Sequence, residues 1–114
     1  MKILLVEDTE YVAESMIGAL EMRGHTVDWR KNVSEARLAL AYSTFDVSVL
    51  DYDLGLDEPP GPTLIPDLHE RGIPCCVYTG LAPRGVDFGV PVIEKSDPSK
   101  LLAWIEKGGV IDGS

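Results

Sequence analysis

The sequence predicts an α/β domain with a doubly wound, five-stranded parallel sheet that carries helices on both faces. Short apolar runs alternate with amphipathic stretches along the 114 residues, and this alternation is typical of β–α–β units. Right-handed crossovers between parallel strands then place helices on both sides of the sheet. The length suits one compact domain.

The first half of the chain predicts three strands and two helices. The stretch 9–23 predicts the first helix because its apolar residues recur on one face and Gly24 follows it. Asn32, with Glu35 three positions on, predicts the start of the second helix. The apolar runs that predict strands are residues 3–6, 26–29 and 45–50.

The second half predicts two more helices and the last two strands. Pro66 predicts a kink or a late start in a short helix over 63–70. Pro98 suits the first helical position of a last helix over 97–107. The predicted strands are residues 73–78 and 91–93.

One connection departs from this alternation. The segment from Gly80 to Val90 is short for a parallel crossover and rich in glycine. We therefore expect a loop there, or at most one short turn, with the fourth helix of such a fold lost or much shortened. The domain is expected to span 1–107, and residues 108–114 have the composition of a tail or a linker.

Composition disfavours several classes of function. Ten Lys and Arg against nineteen Asp and Glu leave a net charge of −9, which disfavours nucleic acid and anionic membranes as partners. No apolar run approaches the roughly 18–20 residues of a membrane span, and acids follow the first apolar run too soon for a signal peptide. Cys75 and Cys76 are adjacent in an apolar run, as expected of core residues in a cytoplasmic protein.

Polar side chains follow four of the predicted strands. Glu7–Asp8, Asp51, Thr79 and Lys95 each come at a carboxyl end, where parallel sheets bind ligands. Crowded carboxylates repel one another unless a cation neutralises them, and hard oxygen ligands suit Mg²⁺. A hydroxyl, a lysine and Mg²⁺ around one carboxylate indicate phosphoryl transfer, with that carboxylate as nucleophile.

The ordered set of these motifs resembles the receiver domain of bacterial two-component response regulators. The resemblance covers nearly the whole chain and lies in four segments: Lys2-Ile3-Leu4-Leu5-Val6-Glu7-Asp8, Phe45-Asp46-Val47-Ser48-Val49-Leu50-Asp51, Val77-Tyr78-Thr79-Gly80 and Val92-Ile93-Glu94-Lys95. It implies a flavodoxin-like sheet in the order 2-1-3-4-5. It also implies a signalling module whose chemistry is limited to its own phosphorylation and dephosphorylation.

The resemblance assigns roles to the residues that match the family's motifs. Asp51 would accept a phosphoryl group from a sensor histidine kinase or a histidine phosphotransfer protein. Asp8 would bind Mg²⁺ directly together with Asp51, Glu7 would assist through water, and Asp53 would offer its backbone carbonyl.

The same resemblance implies two residues that respond to phosphorylation. Thr79 would hydrogen-bond the phosphoryl oxygen and Lys95 would pair with the phosphate. The signal would pass to a downstream protein by direct contact, or the domain would serve as a phosphate sink.

Two positions depart from the family pattern. Ser96 stands where most receivers have Pro after the lysine, and Val92 stands where many have a switch aromatic. These departures keep open a degenerate receiver that binds partners without phosphorylation. Pro74, the Thr79–Gly80 pair and the reduced fourth helix are similar to the stand-alone FATGUY subgroup.

Two enzyme classes share parts of the pattern. Asp51-Tyr52-Asp53 resembles the nucleophile motif of haloacid-dehalogenase-type phosphatases, but that family needs its acidic pair after the lysine. A Toprim-like metal site would use Glu7 with Asp51 and Asp53, and would leave Thr79 and Lys95 without a role. Both enzyme classes are therefore weaker alternatives.

Overall fold

A computed structural model describes residues 1–80 and 85–110. The strands are β1 Lys2–Val6, β2 Thr26–Arg30, β3 Val47–Leu50, β4 Cys75–Thr79 and β5 Val92–Glu94; the α-helices are α1 Glu10–Glu21, α2 Val33–Tyr42, α3 Ile65–Glu70 and α4 Pro98–Glu106. The sequence predicts the parallel sheet, and its strand order β2-β1-β3-β4-β5 is the one that the resemblance implies. Helices cover both faces, and a 3₁₀ helix over Gly61–Leu64 precedes α3.

Side chains cap the N-termini of two helices, α2 and α4, at the predicted starts. Asn32 precedes α2 and accepts a hydrogen bond from the Glu35 backbone N–H at 2.9 Å. Asp97 precedes α4 in the same way and accepts from the Lys100 N–H at 3.2 Å. Each cap satisfies a backbone donor that the first helical turn leaves without a partner.

The core consists of two apolar layers, one on each face of the sheet. One layer packs α2 and α3 against β1, β3 and β4, and the other packs α1 and α4 against the opposite face. Cys75 belongs to the first layer and Cys76 to the second, and both are free and buried. This confirms that adjacent cysteines of one strand face opposite sides of the sheet.

Several boundaries differ from the predicted ones by a few residues. β3 begins at Val47 instead of Phe45, and β4 runs over Cys75–Thr79 instead of 73–78. The predicted helix over 63–70 is divided, because a 3₁₀ turn comes first and Pro66 then occupies the first turn of α3. A late start at that proline is one of the two outcomes its missing N–H allows.

The connection between β4 and β5 lies partly outside the described residues, which omit 81–84. Its described part, Gly80 and residues 85–91, contains no helix. At the chain end, Gly108 and Gly109 donate to backbone carbonyls of α4 at 2.9 and 3.0 Å. The rest of the predicted tail, residues 111–114, also lies outside the described ranges.

Two further observations concern the described part of the chain. It contains no cis peptide bond, so Lys95 and Ser96 are joined in trans. None of its helices combines the length and the apolar composition that crossing a membrane requires.

Candidate functional site

A pocket of about 570 Å³ opens at the carboxyl edge of the sheet. It lies where β1, β3, β4 and β5 end, the edge at which parallel α/β sheets bind ligands. Of the predicted site residues, the pocket brings together all except Glu7, which is buried behind it. The lining residues are Asp8, Thr9, Asp51, Tyr52, Asp53, Gly55, Leu56, Thr79, Gly80 and Lys95.

Three carboxylates form the acidic part of this site. One oxygen from each of Glu7, Asp8 and Asp51 lies within 4.8 Å of the others. Glu7 is 1% exposed and Asp51 7% exposed, whereas Asp8 faces solvent. Hard oxygen donors at this spacing fit a divalent cation such as Mg²⁺, which tolerates a mixture of carboxylates and water.

Lys95 is the cation at the centre of the site. Its Nζ donates to both carboxylate oxygens of Glu7 at 3.2 Å and to Oδ2 of Asp51 at 3.2 Å. The lysine side chain is 26% exposed, so the ion pairs are partly shielded from solvent. One lysine therefore joins the ends of β1 and β3 from a position just after β5.

Burial and charge shift two pKa values in the site. Burial, reinforced by the neighbouring Asp51 carboxylate, raises the pKa of Glu7 to about 8, against a partial opposing effect of Lys95. For Lys95, burial lowers the pKa, but Asp51 and Glu7 outweigh it, and the net effect is a raised pKa. At neutral pH Lys95 is therefore positively charged, while the Glu7 carboxyl is protonated in a large fraction of the molecules.

The backbone of β1 and β2 positions the first two acids. Glu7 lies one residue past β1, and its N–H donates to the Arg30 carbonyl at 3.0 Å. Its own carbonyl accepts a hydrogen bond from Trp29 Nε1 at 2.7 Å. Both polar backbone groups of Glu7 are thus tied to β2.

The loop after β3 forms one wall of the pocket. Asp53 Oδ1 accepts from the Gly55 N–H at 3.0 Å, and this hydrogen bond closes a turn shortly after β3. Gly61 returns against the end of β3, where its N–H donates to the Tyr52 carbonyl at 3.0 Å. A Cβ at Gly61 would overlap the carbonyl oxygen of Asp51, so only glycine fits there.

Thr79 and Lys95 are joined through the backbone at the other wall. The Lys95 N–H donates to the Thr79 carbonyl at 2.9 Å. Thr79 ends β4, is 4% exposed and still lines the pocket. Thr79 and Lys95 are therefore hydrogen-bonded neighbours that line the same pocket.

Sequence reasoning missed several residues of this site. The sequence analysis assigned no role to Trp29, yet its indole N–H donates to the Glu7 backbone carbonyl beside the acids. Leu56 is 93% exposed at the pocket rim, and Tyr52 packs on Phe88 with ring centroids 5.9 Å apart. The position of Tyr52 and Leu56 just after Asp51 was the available signal, whereas the contact of Trp29 depends on strand register.

Comparisons with known proteins agree with the fold. No protein-family model matches the chain. The sequence is 33% identical to response regulator protein PmrA of Pseudomonas aeruginosa over 73 residues, which are 64% of this chain and 32% of PmrA. The chain thus matches only about a third of the length of that relative.

Solved structures share the fold over nearly the whole chain. The BeF₃-activated N-terminal receiver domain of Klebsiella pneumoniae RstA has a TM-score of 0.81 at 24% identity, covering 97% of this chain and 100% of that one. TrrA of Thermotoga maritima, in complex with Mg²⁺-BeF, has a TM-score of 0.83 at 18% identity, covering 94% and 97%. A CheY-like receiver domain of Methanospirillum hungatei has a TM-score of 0.78 at 24% identity, covering 93% and 90%.

The sheet order and these similarities agree on the fold. The chain has the fold of response-regulator receiver domains, and its sequence is similar to that of a response regulator. In this fold the predicted phosphoacceptor, hydroxyl and lysine positions share one pocket.

Proposed function

We propose that this receiver domain takes a phosphoryl group from a phosphohistidine onto Asp51. The donor would be a sensor histidine kinase or a histidine phosphotransfer protein. The observation that carries the proposal is the position of Asp51, which lines an open pocket while Lys95 Nζ holds its Oδ2 at 3.2 Å. A carboxylate held in this way presents its other oxygen to a reacting phosphorus.

The transfer is a simple displacement at phosphorus. A carboxylate oxygen of Asp51 forms the new O–P bond while the N–P bond of the phosphohistidine breaks. The electron pair of that bond stays with the imidazole nitrogen of the donor. Attack and departure in line need only positioning and charge stabilisation from the protein.

A divalent cation fits this chemistry and this set of oxygens. Asp8, Asp51 and the backbone carbonyl of Asp53 would hold Mg²⁺, with Glu7 assisting through water. The ion would offset the negative charge of the phosphoryl group and the acids. The Mg²⁺-BeF and BeF₃ complexes of the similar TrrA and RstA domains support this assignment.

Lys95 and Thr79 would respond to the added phosphoryl group. Phosphorylation adds roughly −1.5 to −2 charges and three acceptor oxygens. Lys95 would move its donors from Glu7 to these oxygens, and the Thr79 hydroxyl would donate to one of them. Their backbone hydrogen bond would couple the two movements and shift the adjoining loops between states.

The output would be a protein contact or the removal of phosphate from a partner. A downstream protein would recognise the altered loops, without direct binding of nucleic acid or membrane. The two buried free cysteines fit a reducing compartment, in keeping with a cytoplasmic location. Slow hydrolysis of its own acyl phosphate would reset the domain, and this would be its only catalysis.

Intact-mass measurement after incubation with phosphoramidate or acetyl phosphate and Mg²⁺ tests the proposal. The wild type should gain one phosphoryl group and Asp51→Asn should gain none. Asp67→Asn is the matched control, because Asp67 lies on α3 and pairs with Arg37 instead of facing the pocket. It should be phosphorylated like the wild type.

The other outcomes identify the alternatives. A wild type that gains no mass, and that does not respond to BeF₃⁻, would indicate a degenerate receiver, for which Ser96 and Val92 are the sequence signal. Continuous hydrolysis of unrelated phosphate esters would indicate a phosphatase. Cleavage of nucleic acid would indicate a Toprim-like enzyme.

A further inference from the structure

The indole of Trp29 makes a hydrogen bond that packing alone does not require. Its Nε1 donates to the Glu7 backbone carbonyl at 2.7 Å, across 22 residues of sequence. The same residue, Glu7, donates its N–H to Arg30 at 3.0 Å. Two neighbouring residues of β2 thus hold both polar backbone groups of Glu7.

The hydrogen bond from Trp29 lies just past the end of the β1–β2 pairing, beside Asp8. The register between β1 and β2 ends at Val6 and Arg30, so the Glu7 carbonyl lies beyond the last paired residue. That carbonyl belongs to the planar peptide unit that joins Glu7 to Asp8. A rotation of the unit would move the Asp8 backbone, and the Asp8 carboxylate would leave its place in the acidic cluster.

The Asp8 side chain is less restrained than those of the two buried acids. It is exposed, unlike Glu7 and Asp51, and its Oδ1 lies 3.4 Å from the Thr9 hydroxyl. An exposed acid depends on its backbone for its direction, because its side chain lacks the packing that restricts a buried one. The indole bond restrains that backbone.

We propose that Trp29 is a positioning residue, which holds the Glu7–Asp8 peptide so that Asp8 meets the cation of the phosphorylation site. The inference rests on the proposed function, since it assumes that the acidic cluster binds Mg²⁺. Trp29 does not touch the cation or the phosphoryl group. It acts through one backbone carbonyl, as partners of metal ligands commonly do.

Trp104 provides a matched control for the packing role of Trp29. Both rings pack in the same apolar layer, with Trp104 on α4. Within residues 1–80 and 85–110, Trp104 Nε1 is buried without a hydrogen-bond partner. Replacing Trp104 therefore removes an indole from the layer without removing a bond to the site.

Calorimetric titration with Mg²⁺ compares Trp29→Phe, Trp104→Phe and the wild type. Phe keeps an aromatic ring at position 29 but has no N–H to donate. We expect Trp29→Phe to bind Mg²⁺ about threefold to tenfold more weakly, the range expected for one lost hydrogen bond. Trp104→Phe should lower the melting temperature and leave Mg²⁺ affinity unchanged.

The dependence of phosphorylation on Mg²⁺ separates positioning from general damage. With phosphoramidate as donor, Trp29→Phe should need more Mg²⁺ for half-maximal rate but reach a rate close to wild type at saturation. A merely structural role would lower the maximal rate or the stability without moving the midpoint. Asp8→Asn should lose the Mg²⁺ response altogether.

A measurement on the wild type covers the case in which the variant does not fold. The indole N–H resonance of Trp29 should shift as Mg²⁺ is added, and that of Trp104 should stay in place. Equal Mg²⁺ affinity and midpoint in Trp29→Phe, or an unmoved Trp29 resonance during saturation with Mg²⁺, would overturn the inference and leave the proposed function intact. A wild type that binds no Mg²⁺ would overturn both.

Discussion

The charge balance of the site depends on Lys95 more than on any other residue. Three carboxylates approach one another, and this single ammonium bridges the two that are buried. Because Lys95 lies after β5 while its partners follow β1 and β3, the lysine also holds three strand ends together. Its loss would leave Glu7 and Asp51 facing each other without a cation.

The raised pKa of Glu7 predicts a pH-dependent stability. The pKa is about 8 in the folded chain against an ordinary 4.5, so folding favours the protonated carboxyl. That contribution is complete below pH 4.5 and is lost as the pH rises through about 8. Glu7→Gln cannot titrate, and its melting temperature relative to wild type should therefore increase from pH 5 to pH 8.5.

Thermal melts in EDTA across this range measure the effect. Glu70→Gln is the control, because Glu70 is exposed at the end of α3 and should follow the wild type throughout. A difference between Glu7→Gln and wild type that stays constant with pH would show that Glu7 titrates normally in the folded protein.

The exposed acid Asp8 predicts opposite effects with and without metal. Without Mg²⁺, Asp8→Asn removes the repulsion between the Asp8 and Asp51 carboxylates and should raise the melting temperature by about 2–5 °C. With Mg²⁺, the wild type should gain stability by ligand binding and the variant should gain little. Paired melts in EDTA and in MgCl₂ test this, and equal Mg²⁺ stabilisation of both proteins would remove Asp8 from the metal site.

At the scale of elements, Gly61 allows the 3₁₀ helix to pack directly against the backbone at the end of β3. Gly61→Ala would drive a methyl group into the Asp51 carbonyl, so β3 or the 3₁₀ helix must move. We expect a loss of about 1–3 kcal/mol of unfolding free energy, typical of overpacking. Urea denaturation gives the value.

Gly18→Ala is the control for this prediction. Gly18 lies in α1, and the space that an added Cβ would occupy there is open. Alanine at this position should stabilise the helix by up to about 1 kcal/mol. A neutral Gly61→Ala would mean that the 3₁₀ helix is free to shift away from β3.

The predictable elements are those whose signals are local. The apolar face of α1, the start of α2 at Asn32 and the place of Pro98 at the start of α4 follow from residues a few positions apart. The shift of β4 to Cys75–Thr79 could not be predicted, since an apolar run does not show where ladder pairing begins.

At the scale of the whole molecule, the sheet order explains which parts of the site could be predicted. Parallel strands end at one edge, so Asp8, Asp51, Thr79 and Lys95 were expected to meet. Which of these side chains touch one another depends on strand register and on how far each side chain reaches, and neither can be read from the sequence. The burial of Glu7 behind the pocket and the hydrogen bond from Trp29 could not be predicted for this reason.

The net charge of −9 predicts a response of the whole fold to salt. Self-repulsion opposes the compact state, and added salt screens it. Raising NaCl from about 20 to about 300 mM should increase the melting temperature by a few degrees, since a shorter Debye length weakens the repulsion between exposed charges. The same increase in NaCl should raise the melting temperature of Asp8→Asn by less than that of the wild type. A wild-type melting temperature that does not change with salt would contradict this prediction.

Cys75 and Cys76 lie on opposite faces of β4, so their thiols can report separately on the opening of the two apolar layers. Burial raises the pKa of the Cys75 thiol to about 11 and holds the pKa of the Cys76 thiol well above its usual value, so neither thiol reacts readily while the helices cover it. A single-cysteine variant of each kind would react only when its own helical layer lifts from the sheet. If the two thiols are labelled at equal rates, the helices on both faces of the sheet open together. Unequal rates would show that one helical layer opens more often than the other.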